Sequence, residues 1–310
     1  MQLPMTKAVV RAMDTVTSFA NSKINRFYLS GASKRGWITW TTAAVDNRIV
    51  GIIPVVMDML NLPSSIMHHY RSLGGWSFSL EPFWSQNIPS WILHPNFRRM
   101  VDIIDPLQYL TRLEIPKQLI IAGNDQTFLP DNSHYFYRNL LGTTLLRIVP
   151  NALHTQIGRE ASKVLSSFIL MMEEAWRLPK MTWTRAENAT HGSILVETEM
   201  EPVRVGGWVA LTLSGTRRDF RRLMAKEPGS SVQPVPQDVR FDNFEVNTLT
   251  PTTFEAVISI PAHRWACFFI ELHFLAPGNE IMSTTTEVHI VPSTFPTKPC
   301  NAEECISHLV

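Results

Sequence analysis

The sequence predicts an α/β domain built on a parallel sheet, followed by a β-rich domain. Three observations carry this. Residues 27–40, FYLSGASKRGWITW, run from a short apolar strand through Gly31-Ala32-Ser33-Lys34-Arg35-Gly36 into a segment of helical character. Apolar runs at 49–57 (IVGIIPVVM), 117–122 (KQLIIA) and 144–149 (TLLRIV) have the composition of strands covered on both faces. Beyond Leu178-Pro179 the chain changes to short alternating runs separated by turns rich in Gly, Pro, Asn and Asp.

Residues 6–19 place Val9, Val10, Met13, Val16 and Phe19 at helical spacing. A strand over 25–29, the Ser33 turn, a helix to about Ala44 and the strand at 49–57 then form the repeating unit of an open α/β sheet. From 58 to 115 the alternation stops. This stretch holds Trp76, Phe78, Phe83, Trp84, Trp91 and Phe97 with Gly74-Gly75 and several prolines. So long an interruption predicts an aromatic lid insertion, most of its rings packing onto the sheet and a minority lining a cleft. The sheet resumes at 117–122 and ends in Gly123-Asn124-Asp125. A helix is expected over 132–141, a strand over 144–149, the loop Pro150-Asn151-Ala152-Leu153-His154, and a helix from about 155 to 176.

Residues 1–178 thus read as one domain. Strands near 181–184, 193–197, 208–213, 244–247, 254–260, 267–274 and 286–291 predict a β-sandwich of immunoglobulin-like type over 179–292. Residues 226–238, with three prolines, read as an exposed loop, and 293–310 as a loose tail.

The net charge of +1 gives no electrostatic case for nucleic acid or an acidic membrane surface. Lys34-Arg35, Arg217-Arg218 and Arg221-Arg222 read as solvated clusters. No apolar run approaches the roughly 20 residues of a membrane span, and the N-terminus MQLPMTKAVVRAMD lacks the apolar core of a signal peptide. Cys267 lies in a strand-like run and reads as a small buried hydrophobe. Cys300 and Cys305 can pair with each other or bond elsewhere. Asn188-Ala189-Thr190 is a glycosylation sequon, relevant if the chain is exported.

Chemistry concentrates at Ser33. A strand that turns sharply into a helix through a G-x-S triplet is the grammar of a nucleophile elbow, which lifts the serine clear of the sheet. Gly31 supplies the small residue before the serine, whereas Arg35 stands where a second small residue is wanted, with Gly36 one place late. The plainer reading is a turn glycine with a helix N-cap serine. Gly75-Trp76-Ser77 is a second triplet, without a strand before it.

Aspartate follows a later strand at Asp125, and histidine the next at His154. Serine, acid and histidine in that order, each at the carboxyl end of a parallel strand, form a triad: Ser33 the nucleophile, His154 its base, Asp125 the orienting acid. The backbone N–H of Lys34 would supply one oxyanion donor. Asp131 is an alternative acid, although Pro130-Asp131-Asn132 also reads as a helix N-cap. His68, His69, His94 and His134 read as surface or hydrogen-bonded residues; no pair has a metal-site frame, no HExxH exists, and no cofactor or metal is expected.

The segments GASKRGWITW, VVMDMLN, GGWSF, DPLQYL…IPKQLIIAGND…FLPD and VPNALH closely resemble the PhoPQ-activated pathogenicity-related proteins, whose eukaryotic relatives include the autocrine proliferation repressor proteins. The resemblance runs from about residue 5 to 290. It implies an α/β-hydrolase-like domain followed by a β-rich one, usually in a secreted, extracellular protein, and Arg35 belongs to that family's own elbow. Two functions follow as expectations. One is a serine hydrolase acting on a small-molecule ester or peptide-like acyl bond. The other is a secreted signalling protein that keeps the scaffold and binds a cell-surface receptor.

An α/β-hydrolase places several strands before its elbow strand, and only 26 residues precede Phe27 here. The reading is therefore a hydrolase-like sheet lacking its N-terminal strands, from a fragment, a truncated gene product or an inactive short isoform. Its elbow strand would be an edge with unpaired N–H and C=O groups, prone to association.

Overall fold

The computed structural model describes residues 2–229 and 233–310. Helix α1 (Gln2–Phe19) leads into strand β1 (Phe27–Ala32), helix α2 (Lys34–Ala43) and strand β2 (Ile49–Val55). Strands β3 (Lys117–Ala122) and β4 (Thr144–Val149) complete a four-stranded sheet of order β1-β2-β3-β4, parallel throughout. Side-chain alternation explains the unbroken apolar runs. Ile52, Leu119, Ile121, Leu146 and Ile148 enter one core with Met13 of α1 and Trp40 of α2. Ile53, Val55, Ile120, Ala122, Leu145 and Val149 enter a second core on the other face, with Phe168 and Met171 of α6 (Gly158–Glu173). Both faces of β2, β3 and β4 are covered, so most of their positions are apolar, and the exceptions, Lys117, Gln118 and Arg147, are themselves buried. Helix α1 is held to α2 by a buried Thr6–Thr41 hydroxyl contact of 2.7 Å.

Between β2 and β3 the chain forms α3 (Leu62–Leu73), α4 (Glu81–Trp84) and α5 (Pro95–Ile104) with intervening 3₁₀ turns. Helix α3 ends at Gly74, whose φ of 70° is the left-handed conformation that terminates helices. Trp76 and Phe97 are buried, while Phe83 and Trp91 remain exposed.

Several expectations are corrected. The helix expected over 132–141 is two 3₁₀ turns, Asn132–Tyr135 and Tyr137–Asn139, broken at Phe136. Tertiary partners outweigh local propensity there: Ser133 donates to Glu287, His134 pairs with the Val288 carbonyl and the Tyr137 hydroxyl donates to the Thr144 carbonyl. The tail over 293–310 is not loose. Cys300 and Cys305 form a disulfide. Leu309 and Val310 are buried, and Trp76 pairs its backbone with His308 and Val310. The indoles of Trp76 and Trp84 donate to the carbonyls of Cys305 and Ile306.

The arginine clusters are also reassigned. Arg218 and Arg221 are buried, paired with Asp131 at 2.6 Å and Asp219 at 2.7 Å. Cys267 is buried as expected.

The C-terminal part contains β5 (Met181–Glu187), β6 (His191–Thr198), β7 (Arg204–Leu211), β8 (Leu223–Ala225), β9 (Pro234–Pro236), β10 (Asp242–Phe244), β11 (Asn247–Thr250), β12 (Thr253–Ser259), β13 (Ala266–Leu275), β14 (Ile281–Thr285) and β15 (His289–Val291). One antiparallel sheet has the order β10-β7-β13-β14, with β15 also on β13; another has β11-β12-β6-β5. Ile194, Val196, Phe254 and Ala256 of the second share a core with Phe268, Ile270 and Leu272 of the first. The region expected as a loop over 226–238 contributes the short β8–β9 pair, with 230–232 outside the described residues.

Candidate active site

Ser33 follows the last residue of β1 and precedes α2, with φ 56° and ψ −125°. An L-residue rarely adopts this conformation, at a cost of about 1–3 kcal/mol, and such strain concentrates at functional turns. Two contacts hold it. The Ser33 N–H donates to the Val55 carbonyl at 2.8 Å, and the Trp37 N–H donates to the Ser33 carbonyl at 3.2 Å. Ser33 occupies the N-cap position of α2, but its side chain makes no capping hydrogen bond.

The glycine positions explain the motif's departure. A Cβ at Gly31 would lie 2.5 Å from the Arg35 carbonyl oxygen, and one at Gly36 would lie 2.7 Å from the Met57 Cβ. Arg35 points to solvent, so the close approach to β2 falls on Gly36 instead. Lys34 opens α2, and its N–H belongs to the first turn of that helix.

Asp125 and His154 are joined directly. His154 Nδ1 lies 2.7 Å from Asp125 Oδ2. The other carboxylate oxygen accepts the Thr127 and Phe128 N–H groups at 2.6 and 3.1 Å, so both oxygens are occupied and the carboxylate cannot swing. Its role is to hold the imidazole, whose Nε2 is left on the opposite edge of the ring. The Phe128 ring meets the imidazole edge-on at 5.5 Å between centroids. Ser33 stands at the carboxyl end of the same sheet, with no hydrogen bond to that imidazole among the described residues.

The loops carrying the pair are braced by the C-terminal part. The Asn124 side chain donates to the Phe220 carbonyl at 2.6 Å. Asn151, at φ 60°, exchanges two hydrogen bonds with the Phe241 backbone, at 2.8 and 2.9 Å.

Asp131 does not hold His154, which Asp125 does; it stands at the N-cap position of the 3₁₀ turn Asn132–Tyr135, but its side chain makes no capping hydrogen bond. Its carboxylate bonds His68 Nε2 at 2.8 Å and Arg218 at 2.6 Å. Burial would raise its pKa, but the Arg218 and His68 charges outweigh that and hold it well below the usual carboxylate range. Ser77, from the second triplet, is buried and donates to the Gln126 carbonyl.

Two neighbours were missed from the sequence. Gln126 accepts the His154 N–H on its side-chain oxygen at 3.1 Å. Asp58, just past β2, is buried with neither carboxylate oxygen hydrogen-bonded. Burial first, and then the Asp125 charge, push its pKa well above the ordinary value. An acid at a strand's carboxyl end was the available signal. Among the described residues, no group of three or more His, Cys, Asp or Glu side chains could hold a metal ion.

A parallel sheet with a strained serine turn at one strand end, and a bonded aspartate–histidine pair at two others, defines a hydrolase-like scaffold. The chain belongs to the PhoPQ-activated pathogenicity-related protein family, whose model matches residues 1–221. It is 34% identical over 320 residues to autocrine proliferation repressor protein A of Dictyostelium discoideum, covering 97% of this chain and 63% of that protein. The chain thus spans under two thirds of that relative's length. Among solved structures it is similar to an acetyl xylan esterase from Paenibacillus sp. R4, with TM-score 0.45, 19% identity, and coverage of 56% of this chain and 52% of that one. It is also similar to the acylaminoacyl peptidase of Pyrococcus horikoshii, with TM-score 0.40, 16% identity, and coverage of 54% and 27%.

Proposed function

We propose that the chain is the catalytic portion of a serine hydrolase that cleaves an ester or peptide-like acyl bond. The observation that carries this reading is the 2.7 Å Asp125–His154 contact at the carboxyl end of the sheet, the end that also bears Ser33 in its strained turn. Ser33 Oγ attacks the acyl carbon while its proton passes to His154 Nε2. The tetrahedral oxyanion collapses, the bond to the leaving group breaks, and that group takes the proton from the imidazolium. Water then repeats the sequence and releases the acid. Asp125 holds the tautomer and stabilises the cation, and the Lys34 N–H donates to the oxyanion. The two antiparallel sheets form a sandwich that braces the Asp125 and His154 loops. The Cys300–Cys305 disulfide supports an oxidising, extracellular setting.

A fluorophosphonate probe on folded protein tests the reading. Labelling is expected in the parent and lost in Ser33→Ala, while Asp125→Asn lowers turnover by about 10⁴-fold. A folded preparation that does not label removes the enzyme and leaves the alternatives, a receptor-binding signalling protein or an inactive short isoform.

A further inference from the structure

Beneath the helices of the excursion lies a cavity of about 350 Å³, within the size range of small-molecule sites. Its walls are almost wholly apolar, including Trp37, Met59, Ile66, Trp76, Trp84 and Phe97. One wall residue is polar and fully buried: His69, stacked on Trp76 at 5.7 Å between centroids with planes 10° apart.

The chemistry of that imidazole is determined by its partners. The Ser77 backbone N–H donates to His69 Nε2 at 3.0 Å, so Nε2 carries a lone pair. Burial, reinforced by the nearby Arg221 charge, pushes the ring's pKa down to about 3, so it is neutral at physiological pH. A neutral imidazole accepting at Nε2 must carry its proton on Nδ1. His69 Nδ1 is buried and has no hydrogen-bond partner. A buried N–H donor without an acceptor is costly, and a ligand oxygen would relieve it.

The cavity is tied to the candidate active site. Ser77, whose N–H fixes the His69 tautomer, bonds through its hydroxyl to the Gln126 carbonyl, and Gln126 in turn receives the His154 N–H. Trp37 lies one helical turn beyond Ser33 on α2, and Met59 follows Asp58.

We infer that this cavity binds the apolar portion of the substrate, an uncharged aliphatic or aromatic group, and orients it through one oxygen that accepts from His69 Nδ1–H. The assignment of the occupant as substrate rests on the acyl-transfer reading above. A charged ligand is disfavoured, because the walls offer no counter-ion and the neutral imidazole cannot supply one.

The test uses 2-acetonaphthone and 2-ethylnaphthalene, which are close in shape and differ by a carbonyl oxygen. Their binding to the full chain carrying Ser33→Ala is measured by equilibrium dialysis, so no turnover interferes. The ketone is expected to bind about fivefold more tightly than the hydrocarbon, the worth of one neutral hydrogen bond. His69→Phe keeps the aromatic stack and is expected to abolish that preference while retaining hydrocarbon binding. Ile92→Trp, which adds bulk at another wall residue of the cavity, is expected to weaken both ligands tenfold or more and covers the case in which His69→Phe fails to fold. Equal affinity for the two ligands, absence of saturable binding, or wild-type binding in Ile92→Trp would overturn the assignment. Ketone preference in the Ser33→Ala chain, together with a folded parent chain that the fluorophosphonate does not label, overturns the hydrolase reading and leaves the binding site intact. Labelling without ketone preference does the reverse.

Discussion

At the scale of single residues, the candidate site combines groups that the sequence announces with groups it hides. Ser33, Asp125 and His154 were legible because each follows an apolar strand, and the open end of a parallel sheet is where such side chains meet. Asp131 stands at the N-cap position that the sequence offered, but its carboxylate serves His68 and Arg218, 63 and 87 residues away and invisible to local pattern. Asp58 shows the opposite balance, a carboxyl buried without a partner beside Asp125. Its folded-state pKa is raised, so between about pH 4 and that value the folded chain binds more protons than the unfolded one, and stability falls as pH rises. Asp58→Asn is therefore expected to flatten the pH dependence and to raise the thermal midpoint more at pH 8 than at pH 5. Thermal melts across that interval check the sign.

At the scale of elements, the strands of the sheet and α2 were read from periodicity because both depend on short-range pattern. The C-terminal tail was not. Residues 300–310 have no strong pattern of their own, and their structure comes from Trp76 and Trp84, more than 220 residues earlier in the chain. Gly75 permits the contact, since a Cβ there would come within 2.6 Å of the His308 carbonyl. Deleting 307–310 would uncover Trp76 and strip its backbone partners. We expect a loss of about 2–4 kcal/mol, from two buried apolar side chains and their hydrogen bonds, with a red shift in tryptophan emission. Urea unfolding followed by fluorescence measures both.

At the scale of the whole molecule, the parallel sheet and the antiparallel sheets are sewn together along β4. The Thr284 hydroxyl donates to the Leu146 carbonyl at 2.8 Å, and the Ile148 N–H donates to the Thr285 hydroxyl at 3.1 Å. These bonds cover an edge that would otherwise be open. Arg147 of β4 pairs with Glu271 of β13, both buried. Burial opposes ionisation of Glu271, but the His273 hydrogen bond and the Arg147 charge outweigh it and hold the pKa at about 2. That contribution is complete above the unfolded carboxyl's range and is lost as pH falls from about 4.5 toward 2. Glu271→Leu strands a buried guanidinium, and we expect a cost of about 3–5 kcal/mol. Adding Arg147→Met should restore much of it, and urea midpoints of the two variants decide the matter. Strand β1, at the other edge, is only half buried, as the sequence foretold for an edge elbow strand.

The sequence by itself determined the parallel α/β core, the change to antiparallel sheets after residue 178, and which serine, aspartate and histidine stand at strand ends. Each follows from hydrophobic period and turn chemistry over a few residues. Only the tertiary structure decided that Asp125 rather than Asp131 holds His154, that the tail seals the aromatic excursion, and that His69 is buried beside an apolar cavity with Nδ1 unpartnered. Those outcomes depend on which distant groups are brought within about 3 Å of one another, and the free energy of a buried polar group is set by that partner rather than by its neighbours along the chain.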